Sequence, residues 1–174
     1  MIEKKHIITG PPGAGKTTLI NQLSKEGFSV IPEASRDIIK QEQRKQTNAV
    51  PWEDIEAYAL LVFEEIKNRL QKNPQATFSD RSIIDIIAYL EFYNKPVFPE
   101  LLNFPFTKYY HKTVFFAPSW QKIYQTDEQR PQQYVELQGL GKKIEEVYKR
   151  FGFHCINLPK LPVAERVQFI TAHI

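Results

Sequence analysis

A single cysteine, Cys155, stands in 174 residues. That excludes an internal disulfide framework and fits a reducing cytoplasm. It lies in the apolar run FHCINL, the setting of a packed thiol rather than a reactive one. No apolar run approaches the ~20 residues that a membrane-spanning helix needs, so no membrane partner is expected. The chain has no long basic block and a net charge of only +3; nucleic acid is not an expected partner either. No signal-peptide pattern opens the sequence, and a cytoplasmic location is the expectation. His6, His111, His154 and His173 have no ligand-like spacing with each other or with Cys155, which speaks against structural zinc. Internal repeats, low-complexity tracts and composition breaks are missing too. Residues 1–174 are therefore expected to form one domain, monomeric or homodimeric.

What is present is an ordinary globular composition, 42% hydrophobic and 25% charged, in a chain long enough to bury a core. Five strand-like runs recur: HIIT to Thr9, FSVIPE to Glu33, ATFSDR to Arg81, KTVFFAP to Pro118 and FHCINLP to Pro159. Short, nearly continuous apolar strands separated by helical periodicity predict an α/β fold with a parallel sheet covered on both faces. In such sheets ligands bind beyond the carboxyl ends of the strands. Between the strands, Trp52, Ile55, Ala59, Phe63, Ile66 and Leu70 predict a helix after Pro51, with Glu53 and Asp54 in its first turn. Leu137, Ile144, Val147 and Phe151 predict another, closed by Gly152. Val163, Val167, Ile170 and Ile174 predict the last. The proline- and aromatic-rich stretch from Asn94 to Tyr109 predicts an irregular excursion with one short helix.

The first strand runs into Gly10, Pro11, Pro12, Gly13, Ala14, Gly15, Lys16, Thr17 and Thr18, which matches G-x-x-x-x-G-K-[ST] at every fixed position. A chance match in a chain of this length is on the order of one in a few hundred, so the segment is read as a phosphate-binding loop. Its glycines let backbone N–H groups converge, and the following helix start adds partial positive charge. Lys16 is expected to reach the β- and γ-phosphates and the Thr17 hydroxyl to ligate Mg²⁺. No D-x-x-G or N-K-x-D segment occurs, against a regulatory GTPase. The residue after the candidate Walker-B aspartate, Asp80, is Arg81 rather than a second acid, against a ring-forming motor.

A phosphotransferase needs a carboxylate for its acceptor and arginines that neutralise charge. Glu33 and Arg36 follow the second run, Asp80 and Arg81 end the third, and Arg130 lies beyond the fourth, in a lid segment of about residues 119–135. Asp80 is a second candidate Mg²⁺ ligand. In the next helix Ile83, Ile84, Ile87 and Leu90 share a core face, while Asp85, Tyr89 and Phe92 fall together on the other; that second face is either a pocket wall or a partly solvated surface. Glu33 has an alternative as a helix cap, Arg36 as part of a solvated face with Lys40 and Arg44, and Arg130 as part of a polar surface loop.

Together, GPPGAGKTT, PEASRDI, SDRSIIDIIAY and DEQR resemble the NadR-like AAA-type P-loop domains, small ATPases or kinases related in layout to ribosylnicotinamide kinase. The layout is also similar to that of deoxynucleoside kinases. The resemblance covers nearly the whole chain. It implies a three-layer P-loop fold with strand order 2-3-1-4-5 and transfer of the γ-phosphoryl group of ATP to a small hydroxyl-bearing molecule, with a nucleoside-like acceptor favoured. Glu33 would orient or deprotonate the hydroxyl, Asp80 would hold Mg²⁺, Arg81 would contact acceptor or phosphate, and Arg130 would be the lid arginine. Arg36, Asp85 and Tyr89 would complete the acceptor side. The lid departs from the kinase pattern in carrying one arginine, leaving Lys122 as a second cation, and AYLEFYNK contains no recognisable acceptor-reading pattern. The alternative is a nucleotide-dependent binding module or ATPase without a small-molecule acceptor.

Overall fold

The computed structural model describes residues 2–123 and 134–174. The described residues form β1 (Lys5–Thr9), α1 (Lys16–Lys25), β2 (Val30–Ile31), α2 (Ala34–Lys45), α3 (Ile55–Lys72), β3 (Phe78–Asp80) and α4 (Ile83–Phe92). There follow α5 (Pro99–Leu102), α6 (Phe106–Tyr109), β4 (Tyr110–Phe116), a 3₁₀ turn at Gln121–Ile123, α7 (Tyr134–Arg150), β5 (His154–Asn157) and α8 (Val163–Thr171). Arg130 and most of the expected lid lie outside the described residues. The sheet is five-stranded and parallel, in the order β2-β3-β1-β4-β5. This is the α/β sandwich and strand order that the resemblance implied.

Alternation along the strands creates two cores, because successive side chains point to opposite faces. Ile7, Val114 and Phe116 join α2, α3, α4 and α7 in one apolar cluster. Ile8, Phe78 and Phe115 join α1 and α8 in the other. The register sets Ile8 beside Asp80 and Thr9 beside Phe116, so the central strands end at one level and present their following residues together.

Several element boundaries differ from the periodicity. Trp52 is 43% exposed and lies in the turn before α3. The helix begins later because the Asp54 carboxylate caps it, accepting from the Ala57 N–H at 3.0 Å. β2 shrinks to two residues. Ile174 lies beyond α8 and is exposed. The aromatic excursion contains two short helices rather than one. Gly152 does close α7: it has φ +78°, its N–H bonds to the Lys149 carbonyl, and the Phe153 N–H bonds to that of Tyr148. Cys155 is partly buried, and burial pushes its thiol up to about 12, as suits a packed thiol. No helix among the described residues is long and apolar enough to cross a membrane.

Gly10 turns the chain from β1 into the loop at φ +139°, where a Cβ would stand 2.1 Å from the Ala117 carbonyl oxygen. That oxygen is backbone and has no rotamer to retreat into. Gly10→Ala is expected to lower the stability by about 2–4 kcal/mol, measured by urea unfolding; an unchanged midpoint would contradict this packing.

Candidate functional site

The loop after β1 winds over the start of α1 with Gly13 and Gly15 at φ +75° and +76°. Pro12, Gly13, Gly15, Lys16, Thr17 and Thr18 line a cavity of about 480 Å³, while Gly10, Pro11 and Ala14 are buried. That volume falls within the range of small-molecule sites. Lys16 donates to the carbonyls of Gly10 at 3.0 Å and Pro11 at 2.8 Å, so its ammonium lies across the loop it belongs to. Burial, with the nearby charge of Arg81, lowers its pKa to about 7. An anionic phosphate in the loop would favour the charged form.

Beyond the loop, the ends of β2 and β3 bring Glu33, Asp80 and Arg81 to the same cavity. Arg81 has φ +69°, uncommon for a residue with a side chain. Two bonds fix that conformation: its N–H donates to the Ile8 carbonyl at 2.9 Å, and its own carbonyl accepts from Ser79 Oγ at 2.8 Å. The turn throws the guanidinium back across the strand ends. There Nε donates to Glu33 at 2.8 Å and Nη1 to Asp85 at 3.2 Å.

Glu33 is the N-cap residue of α2, yet its carboxylate makes no capping bond. It faces Arg81, with Arg36 at 3.7 Å. Burial alone would raise its pKa, but Arg81 and Lys16 outweigh burial and hold it below the usual carboxylate range. Asp80 shifts the other way. Burial and the charge of Glu33 raise it to about 7, and its Oδ1 is buried with no hydrogen-bond partner among the described residues. An orphaned carboxylate oxygen beside a phosphate loop fits a divalent cation. Among the described residues no group of three His, Cys, Asp or Glu side chains could hold a metal. A cation here would therefore draw on Thr17, Asp80 and ligand oxygens.

Of the two readings of the Asp85 face, pocket wall or partly solvated surface, the structure has Asp85 and Tyr89 lining the cavity. Asp85 is 3% exposed, and its carboxylate is fully engaged. Thr9 donates to Oδ1, and the Ser82 N–H donates to Oδ2 at 2.9 Å in a capping box. Tyr148 of α7 also donates to Oδ2, at 2.5 Å, and its oxygen lies 2.7 Å from Ser82 Oγ. Asp85 thus borders the cavity while its oxygens serve the scaffold. Tyr89 also borders the cavity, with the Arg81 guanidinium 5.8 Å from its ring centre. Phe92 does not; it packs edge-on against Tyr93. Arg36 lines the cavity, whereas Lys40, Arg44 and Lys122 are exposed and do not.

Three participants carry no sequence signal: Thr9, Tyr148 and Arg166. Arg166, on α8, is 4% exposed and lines the cavity beside the loop. Its Nη1 would stand 2.9 Å from a Cβ on Gly15, its Nη2 makes a long 3.4 Å bond to the Ala14 carbonyl, and its Nε has no partner among the described residues. Burial lowers its pKa.

A sequence model of the AAA_28 family, described as an AAA domain, matches residues 5–166. The chain belongs to this family. No curated protein matches it. The AAA_28 chain is similar in structure to deoxyadenosine kinase from M. mycoides with bound dATP, with 17% identity, TM-score 0.70 and 98% of each chain covered. It is also similar to the YorR protein from Bacillus subtilis, with 17% identity, TM-score 0.62 and coverage of 98% and 95%. For thymidylate kinase from Candida albicans the values are 18%, 0.62, and 99% and 91%. At these identities the likeness is one of fold.

Tyr148→Phe removes the hydroxyl between Ser82 and Asp85 and leaves a buried carboxylate one donor short. It is expected to lower stability by about 1–3 kcal/mol, measured by urea unfolding; a change within error would show that the network does not depend on that hydroxyl.

Proposed function

We propose that this AAA_28 chain is an ATP- and Mg²⁺-dependent phosphotransferase that moves the γ-phosphoryl group to a small hydroxyl-bearing molecule. One observation carries the reading: residues of the phosphate loop and residues of α2, α3 and α4 line one cavity, together with Glu33, Asp80 and Arg81. A nucleotide module that only hydrolyses or reports has no use for the part of the cavity lined by α2, α3 and α4. The resemblance to deoxynucleoside kinases makes nucleosides the first acceptors to test.

In this reading Gly13, Gly15, Lys16 and Thr18 bind the phosphates, and Arg166 supplies a cation on the far side of the loop. Thr17 and Asp80 would hold Mg²⁺, which when bound would neutralise phosphate charge. Glu33 orients the acceptor hydroxyl and receives its proton. Its lowered pKa is compatible with that role, because a loose phosphoryl-transfer transition state asks little of base strength and much of position. Arg81 holds Glu33 in place and faces the charge that spreads over the equatorial oxygens. The burial of Lys16, Asp80 and Arg81 keeps water from weakening these interactions.

Lys16→Ala is expected to abolish turnover and weaken nucleotide binding. Glu33→Gln is expected to preserve the KM for ATP while lowering kcat for transfer roughly 10²-fold; steady-state kinetics with an accepted substrate checks both, and wild-type kcat in Glu33→Gln would remove Glu33 from the chemistry. Arg166→Ala is expected to weaken ATP binding about tenfold or more by titration, and unchanged affinity would restrict Arg166 to packing.

A further inference from the structure

The part of the cavity lined by α2, α3 and α4 is chemically lopsided. Its polar side chains, Glu33, Ser35, Arg36, Arg81, Ser82 and Asp85, all sit at strand ends or in the first turns of α2 and α4. The remainder is a wall built from Ile39 of α2, Val62 and Ile66 of α3 and Ile86 of α4, with the rings of Tyr58 and Tyr89 beside them. The Tyr58 hydroxyl is bonded to the Ser35 side chain, and the Asp85 oxygens are engaged as described. No Asn, Gln or His side chain lines the cavity among the described residues. From Tyr58 to Ile66 the wall follows a single face of α3 for eight residues, roughly 12 Å at the helical rise.

We infer that the acceptor is a primary alcohol with an apolar body, aromatic or branched aliphatic, whose hydroxyl meets Glu33 while its body lies against the α3 wall. This rests on the phosphotransferase reading and departs from the nucleoside-like acceptor that the sequence resemblance favoured. A nucleobase carries several donors and acceptors along its edges. Buried against Val62, Ile66 and Ile86, each would lose water without gaining a partner, at roughly tenfold or more in affinity per group. An apolar body gains by leaving water and needs no partner. In the reaction the alcohol oxygen bonds to the γ-phosphorus while the bond from that phosphorus to the β–γ bridging oxygen breaks. The bonding pair leaves with ADP, the hydroxyl proton passes to Glu33, and the products are a phosphate monoester and ADP.

The test supplies the full chain with Mg²⁺ and ATP and compares two panels at equal concentrations. One contains the common ribo- and deoxyribonucleosides; the other contains benzyl alcohol, 2-phenylethanol, 3-methylbutan-1-ol and 3-methylbut-2-en-1-ol. Mass spectrometry identifies the phosphate ester, and ADP release gives kcat/KM. The expected result is transfer to at least one apolar alcohol with kcat/KM roughly tenfold or more above the best nucleoside. Val62→Asn, and in milder form Val62→Thr, should lower that value while the KM for ATP shows the fold intact. A nucleoside as best acceptor overturns the apolar assignment and leaves the phosphotransferase reading standing. No ester from either panel, with ATP still bound, overturns that reading and this inference with it.

Discussion

The guanidinium of Arg81 is the interaction on which the site depends. It is a buried cation between two carboxylates, the partly buried Glu33 from the end of β2 and the buried Asp85 from the first turn of α4. Removing either partner would leave charge stranded in a low dielectric, the most destabilising thing that can be done to such a pair. The backbone accepts a left-handed turn at Arg81 to make this contact. Asp85 then extends the linkage to Thr9 at the end of β1 and to Tyr148 of α7. Three strand ends and two helices are thereby fixed relative to the phosphate loop by one charge and the groups that satisfy it.

The arrangement also explains why one carboxylate is left over. Lys16 and Arg81 are the fully buried cations of the cluster, and Glu33, Asp80 and Asp85 the acids. Arg81 divides itself between Glu33 and Asp85, and Lys16 is turned to the loop carbonyls. Asp80 is left with burial and a neighbouring negative charge, and both oppose its ionisation. A scaffold carboxylate so placed would be a liability; a metal ligand so placed is poised. Arg166 mirrors it as a buried cation beside Ala14 and Gly15 of the loop, its Nε without a partner among the described residues.

Much of this was legible in the sequence, for definite physical reasons. The sheet announced itself because its central strands β1 and β3 are buried on both faces and the runs read as short apolar stretches, and the residues closing those runs gave Glu33, Asp80 and Arg81. The phosphate loop was legible because its two fixed glycines, Gly10 and Gly15, both take a positive φ. Periodicity left the Asp85 face open between pocket wall and solvated surface, because it assumes that a helix has a wet face. In α4, Ile83, Ile84, Asp85, Ile86 and Ile87 are all buried, so the pattern had no polar side to find. The better signal was local: S-x-x-D before an apolar run is a helix start, and here it ties Asp85 inward. Trp52 fitted the helical spacing, but the capping carboxylate of Asp54 fixed the boundary after it. Thr9, Tyr148 and Arg166 could not be read, since each owes its role to residues 63 to 152 positions away.

On the proposed function, the loop holds a triphosphate in order to pass its terminal group to an alcohol rather than to water. Turnover in ¹⁸O-labelled water with an accepted alcohol separates the two outcomes. Phosphate is expected to leave as an ester whose oxygens come from ATP and the alcohol, with no solvent label. Inorganic phosphate carrying one ¹⁸O per turnover, at a rate indifferent to the alcohol, would contradict it.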